Sequence, residues 1–214
     1  MVNNARGFTL IEFMIAALIT TAVLGGTVML ASQLQQAYTT RLDDATVEEE
    51  ARFSLDWIEQ ALRNAGSNPY GITASGCAAA TFAAIEMDPD GNGDDDDIRI
   101  HADINPPNGL LGGVAGTCDE PNEDVTIAYD AANLVITRQD NNLDMDPAAM
   151  TEPVITELLF TYLNSSRTVT TNPNLVSYVH VRVTGKSVVK QQLYDADTAF
   201  STTTLETDVH IRTR

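Results

Sequence analysis

The chain has 214 residues, a formal net charge of −18 and an apolar fraction of 43%. So acidic a chain offers no basic patch to nucleic acid and is repelled by anionic lipid headgroups, while its apolar content excludes wholesale disorder. The acid surplus fits either a saline habitat or bound divalent cations.

The first element is an uncharged apolar run headed by Gly7-Phe8-Thr9-Leu10-Ile11-Glu12 and continuing to about Leu34; the next charge after Glu12 is Arg41. As a helix rising ~1.5 Å per residue, residues 8–34 span the ~30 Å of a bilayer core. The only cation before the run is Arg6. The positive-inside bias therefore places the N-terminus in the cytoplasm and the rest across the membrane. A cleaved secretory signal peptide is the rival reading. It is disfavoured by the length of the run and by the lack of an A-x-A site between Phe8 and Gln36. A carboxylate at the head of a membrane-length helix is costly, which marks Glu12 as functional; the alternative is an ordinary interfacial anchor.

These residues resemble the type III signal of type IV pilins and type II secretion pseudopilins, over about residues 6–35. The resemblance implies a leader over 1–7, cut by a prepilin peptidase between Gly7 and Phe8, with methylation of the new N-terminal Phe8. Glu12 then falls at the fifth mature position. There it would accept a hydrogen bond from the Phe8 amine of a neighbouring subunit, setting the register of a filament. Many pilins carry a proline in this segment and this chain has none; Gly25-Gly26 is the corresponding weak point in the helix.

Residues 35–66 read as an amphipathic continuation of the helix. Leu55, Ile58, Leu62 and Ala65 fall at helical spacing, and Gly66-Ser67-Asn68-Pro69 supplies the stop. Trp57 beside this stripe reads as core packing. With about 180 residues beyond the anchor, one domain with its own core is expected over 67–214.

Strands are expected at Thr81–Met87, Ile98–Ala102, Asp124–Tyr129, Leu134–Arg138, Ile155–Leu163, Val176–Val183 and Leu205–Thr213, with a hairpin turn at Asp130-Ala131-Ala132-Asn133. Val179, Val181 and Val183 alternate with His180 and Arg182, and Val209 and Ile211 read as inward. The expected fold class is α+β: a long N-terminal helix, transmembrane in its first half, packed on an antiparallel β-sheet head, as in pilins.

Cys77 and Cys118 would lie in an oxidising compartment, where a disulfide is favoured over two free thiols. Between them lies Asp88-Pro89-Asp90-Gly91-Asn92-Gly93-Asp94-Asp95-Asp96-Asp97. Asp88, Asp90, Asn92 and Asp94 alternate like the first half of an EF-hand loop, with Asp96 or Asp97 completing a Ca²⁺ shell. Arg99 stands where that loop carries its bidentate Glu. A solvated acidic turn is the competing reading.

Catalysis is not expected. His101, His180 and His210 lack metal-ligand spacing and read as solvated positions on outward strand phases, and no G-x-S-x-G, HExxH or phosphate loop occurs. Within the resembled family, Trp57 to Gly66 and Val209-His210-Ile211-Arg212 are similar to a PilW-like minor pilin or the related J-type pseudopilin. Glu12 argues against a K-type tip pseudopilin. The partners this implies are the prepilin peptidase, other major and minor pilins or pseudopilins, and the inner membrane before assembly, with no nucleic acid. The implied location is a single-pass inner-membrane protein with a periplasmic head, later in a pilus or pseudopilus. A membrane-anchored calcium-binding or adhesive module that never polymerises is the reading from another class.

Overall fold

The computed structural model describes residues 9–72, 77, 82–114, 117–143, 146–188, 191–192 and 198–211. Two compact units divide the chain, Met1–Asp43 and Asp44–Arg214. The helix α1 runs Leu10–Asn64 without interruption at Gly25-Gly26.

Between Glu12 and about Leu34 the helix carries no charge and is predominantly apolar on every side. Its best 18-residue window has a mean hydropathy of 2.1 and none of it is buried, so α1 is long and apolar enough to cross a membrane. Leu10, Phe13, Leu18, Val28 and Leu34 are among its exposed side chains. Serine and threonine hydroxyls in this stretch bond to the helix itself. Thr20 and Thr21 donate to the Ala16 and Ala17 carbonyls at 2.7 and 2.6 Å, Thr27 to Leu24 at 2.9 Å and Ser32 to Met29 at 2.8 Å.

The second unit begins where α1 turns amphipathic. Val47, Ala51, Ser54, Leu55, Ile58 and Leu62 are buried along one face, with Ala65 just beyond. The opposite face carries i,i+4 pairs Glu48–Arg52 and Glu59–Arg63. Gly66 stops the helix at φ +74°, a conformation that favours glycine, and its N–H donates to the His101 carbonyl at 3.0 Å. Trp57 packs against the core, as its place beside the stripe implies.

All sheets are antiparallel. A five-stranded meander runs β1 (Ile85–Met87), β2 (Asp97–His101), β3 (Asp124–Asp130), β4 (Val135–Asp140) and β5 (Ala148–Ala149) in spatial order. A second sheet has the order β10 (Thr202–His210), β7 (Tyr178–Lys186), β6 (Ile155–Leu163), and β8 (Gln191–Gln192) pairs with β9 (Thr198–Ala199). This is the expected α+β architecture. The strands expected at 124–129, 134–138 and 155–163 are present within a residue or two. β1 is shorter than its predicted span, whose first residue Thr81 lies outside the described residues. Ala148–Ala149 and the β8–β9 pair are too short to show a period of two.

One hydrophobic core holds α1 and both larger sheets together. β6 joins the sheets: Phe160 N–H donates to the Asp95 carbonyl at 2.8 Å and Ile155 N–H to Leu134 at 3.0 Å. On β7, Val179, Val181 and Val183 are fully buried, while His180 and Arg182 face outward onto Asp208 and Glu206 of β10. Gly185 continues the inward phase of β7. A Cβ there would lie 2.6 Å from Val47 Cγ1, so the absent side chain lets the helix close onto the sheet. Gly185→Val is expected to cost ~1–3 kcal/mol by overpacking, read as a lower urea midpoint with unchanged slope.

Candidate functional site

The N-terminal processing residues Gly7 and Phe8 lie outside the described residues. Glu12 sits in the first turn of α1, where Thr9 is the residue before the helix. Thr9 N–H and Thr9 Oγ1 both donate to Glu12 Oε2 at 2.9 Å, and Glu12 N–H donates back to Thr9 Oγ1 at 3.3 Å. This is a reciprocal capping box that satisfies otherwise orphaned amides at the helix start. Glu12 Oε1 makes no hydrogen bond among the described residues.

The acidic segment is the β1–β2 hairpin loop. Asp88, Asp90 and Asp97 bring carboxylate oxygens within 4.8 Å of one another. Of the other residues of the expected calcium set, Asn92 lies against Asp90: its Nδ2 and backbone N–H donate to Asp90 Oδ2 and Oδ1, both at 2.9 Å, and its Oδ1 accepts from Asp94 N–H at 2.6 Å. Asp94 is exposed and Asp96 is half-buried, both outside the carboxylate group. Burial, with the charges of Asp90, Asp96 and Asp88 added, pushes the Asp97 carboxyl up to about 6, against the opposing hydrogen bond from Asp90 N–H. Burial and the Asp94 and Asp90 charges also raise Asp96.

Arg99, which occupies the EF-hand's glutamate position, is committed to the next strand. Its Nε and Nη2 clasp Asp124 Oδ1 and Oδ2 at 2.7 and 2.6 Å, with Glu86 3.6 Å from Nη1. His101 differs from the expectation of a solvated surface residue: it is 1% exposed. Its Nδ1 lies 2.7 Å from the Ala83 carbonyl and its Nε2 3.5 Å from Asp124 Oδ1. The reason is that β2 lies between β1 and β3 and is covered on both faces, so alternation along the strand does not separate core from solvent. His210 is exposed and His180 partly so, paired with Asp208 at 2.7 Å.

Cys77 and Cys118 are disulfide-bonded. The loop leading to Cys118 is organised by buried acids that sequence reading did not single out. Glu123 accepts from the amides of Ile104, Asn105 and Gly112 at 2.9, 2.8 and 2.8 Å. Asp103 accepts from those of Asn108 and Gly109, both at 2.9 Å. Glycine-rich sequence beside acids was the available signal, since free amides need acceptors. A cleft of about 350 Å³ opens between Trp57, Ala61 and Asn64 of α1 and Ile100, Asn122 and Arg138.

Residues 2–28 match the family described as the prokaryotic N-terminal methylation motif. No curated protein and no solved structure matches the chain. The matched segment contains the Gly7-Phe8 junction and Glu12 and runs into the membrane-length helix. The motif and the helix together support a type IV pilin-like protein anchored in a membrane.

Proposed function

We propose that the protein is a minor pilin of a type IV pilus, cut after Gly7 by a prepilin peptidase and acting by assembly rather than by catalysis. The observation that carries the reading is a carboxylate in the first helical turn, placed just past the junction of an N-terminal methylation motif. Cleavage there frees an α-amine on Phe8. Glu12 Oε2 is taken by Thr9, which leaves Oε1 to accept a charge-assisted bond from the amine of a neighbouring subunit. That pair removes two charges from an apolar filament core at once. Deleting one partner of such a buried pair costs ~3–5 kcal/mol. Residues 57–66 and 209–212 resemble both a PilW-like minor pilin and the related J-type pseudopilin, so they support a minor subunit without separating the two systems.

The test is mass spectrometry of the mature N-terminus together with filament shearing. The expected results are a methylated Phe8 terminus, and a Glu12→Ala variant that stays in the membrane fraction but is missing from sheared filaments. An intact Met1, or normal incorporation of Glu12→Ala, overturns the proposal. Loss of secretion with normal piliation on deletion of the gene would replace the pilus by a secretion pseudopilus.

A further inference from the structure

We propose that the β1–β2 hairpin holds a calcium ion between Asp88, Asp90 and Asp97, a site whose closing ligand is the first residue of β2. Met87 and Ile98 are the last paired residues of this hairpin, so Asp88 and Asp97 sit directly beyond the end of the ladder on opposite strands. Like charges so placed repel unless something joins them. Loop donors satisfy one oxygen each of Asp97 and Asp88, from Asp90 N–H at 3.3 Å and Gly93 N–H at 3.0 Å, and Asn92 Nδ2 serves Asp90 Oδ2 at 2.9 Å, but no side chain joins Asp88 to Asp97. Asp97 is 2% exposed, and its Oδ1 is buried with no hydrogen-bond partner; Asp88 Oδ1 is likewise buried and unpartnered. A buried carboxylate oxygen without a donor is a costly arrangement that a bound cation resolves.

No side-chain cation is at hand. The sequence contains no Lys or Arg between Arg63 and Arg99. Arg99 is held by Asp124 and Glu86. Among the described residues none of the three aspartates forms a salt bridge.

The spacing and the donor chemistry select the ion. Two oxygens bound to one Ca²⁺ at ~2.3–2.6 Å lie at most about 5 Å apart, which the 4.8 Å limit of this cluster satisfies. All three donors are carboxylates, with no thiolate or imidazole, so the site suits a hard cation. The donors divide between a glycine-containing loop, with Gly91 and Gly93 at φ +72° and +89°, and an anchored strand end. The strand end is fixed by Tyr129 N–H on the Asp96 carbonyl at 3.1 Å and Tyr162 Oη on the Asp97 carbonyl at 3.4 Å. Ca²⁺ tolerates such irregular shells, whereas Mg²⁺ demands near-octahedral ones. Waters on the exposed side complete the coordination.

The experiment uses the full chain in detergent micelles, stripped with EDTA, with thermal unfolding followed as CaCl₂ is added. The expected result is a rise in midpoint that saturates with a Kd on the order of 10⁻⁴–10⁻³ M, as for extracellular calcium modules. MgCl₂ at equal ionic strength leaves the midpoint where NaCl leaves it. Asp97→Asn and Asp88→Asn abolish the calcium-dependent rise, and Asp94→Asn, exposed and outside the triad, keeps it. Asp97→Asn without calcium melts no lower than the EDTA-treated parent, because it removes the unpaired charge; this separates lost binding from misfolding. An equal rise with Mg²⁺, an unchanged calcium response in Asp97→Asn, or no response in the parent chain overturns the site. None of these outcomes bears on filament assembly through Glu12.

Discussion

Arg99→Ala is expected to destabilise the head by ~3–5 kcal/mol at neutral pH, near the upper end for a single surface-accessible arginine. The effect comes from what the substitution leaves behind. Asp124 is 0% exposed, and Arg99 reaches it diagonally across the β2–β3 pair through two bonds of 2.7 and 2.6 Å. Without the guanidinium, the Asp124 carboxylate keeps, among the described residues, Asn141 Nδ2 at 2.8 Å and the more distant His101. Arg99→Lys should recover only part of the loss, since an ammonium cannot make both bonds in one plane. Arg182→Ala is the control. Its pair with Glu206 is exposed, and its loss should cost no more than ~1 kcal/mol. Urea unfolding with circular dichroism measures all three.

The same pair sets an acid dependence whose sign follows from its chemistry. Burial alone pushes the Asp124 carboxyl up, but the Arg99 hydrogen bonds, with His101 and Asn141, hold it below the usual aspartate value. A lowered pKa means that the folded state releases the proton more readily than the unfolded chain. The stabilisation is therefore fully present above about pH 4 and is lost as pH falls through the lower folded value. In Arg99→Ala burial acts with less opposition, so this contribution diminishes or reverses. The variant should lose less stability than the parent between pH 4 and pH 2.

The second large effect is expected from the disulfide. Cys77 and Cys118 are separated by 41 positions. Closing a loop of that size is worth ~4 kcal/mol on the chain-entropy account, within a usual range of 2–4. Reduction, or the double replacement of Cys77 and Cys118 by Ser, should lower the thermal midpoint by the equivalent of ~2–4 kcal/mol. The Cys118 side of the loop should not melt with it. Glu123 still gathers the amides of Ile104, Asn105 and Gly112, and Asp103 those of Asn108 and Gly109. Hydrogen exchange should therefore remain slow at those amides after reduction. Fast exchange there would show that the covalent bond, not the buried acids, orders the loop.

The elements legible in the sequence are those whose period is set by one neighbour. The stripe of Leu55, Ile58 and Leu62 and the alternation of Val179, Val181 and Val183 each need only a single apolar face to bury. β2 is different because both of its faces are covered, so Asp97 and His101 are buried alongside Ile98 and Ile100. Whether an acid is buried depends on a donor supplied from far along the chain, and no local pattern announces the Arg99–Asp124 match. The acidic loop shows the same limit. Its composition is plain, but which aspartates meet depends on the pairing of Met87 with Ile98, which brings Asp97 in and leaves Asp94 and Asp96 out. The methylation motif over residues 2–28 was legible because it is a short linear segment, whereas the cleavage between Gly7 and Phe8 belongs to the proposed function.

The hydroxyls of Thr20, Thr21, Thr27 and Ser32 all donate to carbonyls of their own helix. A hydroxyl that depended on water would oppose entry into hydrocarbon, and one that depended on a lipid headgroup would oppose departure from it. These do neither. On the proposed assembly route the helix would present the same internally satisfied hydroxyls to acyl chains and to the packed side chains of a neighbouring subunit. Its transfer from one to the other would break none of these hydrogen bonds, leaving packing and the carboxylate of Glu12 to govern the exchange.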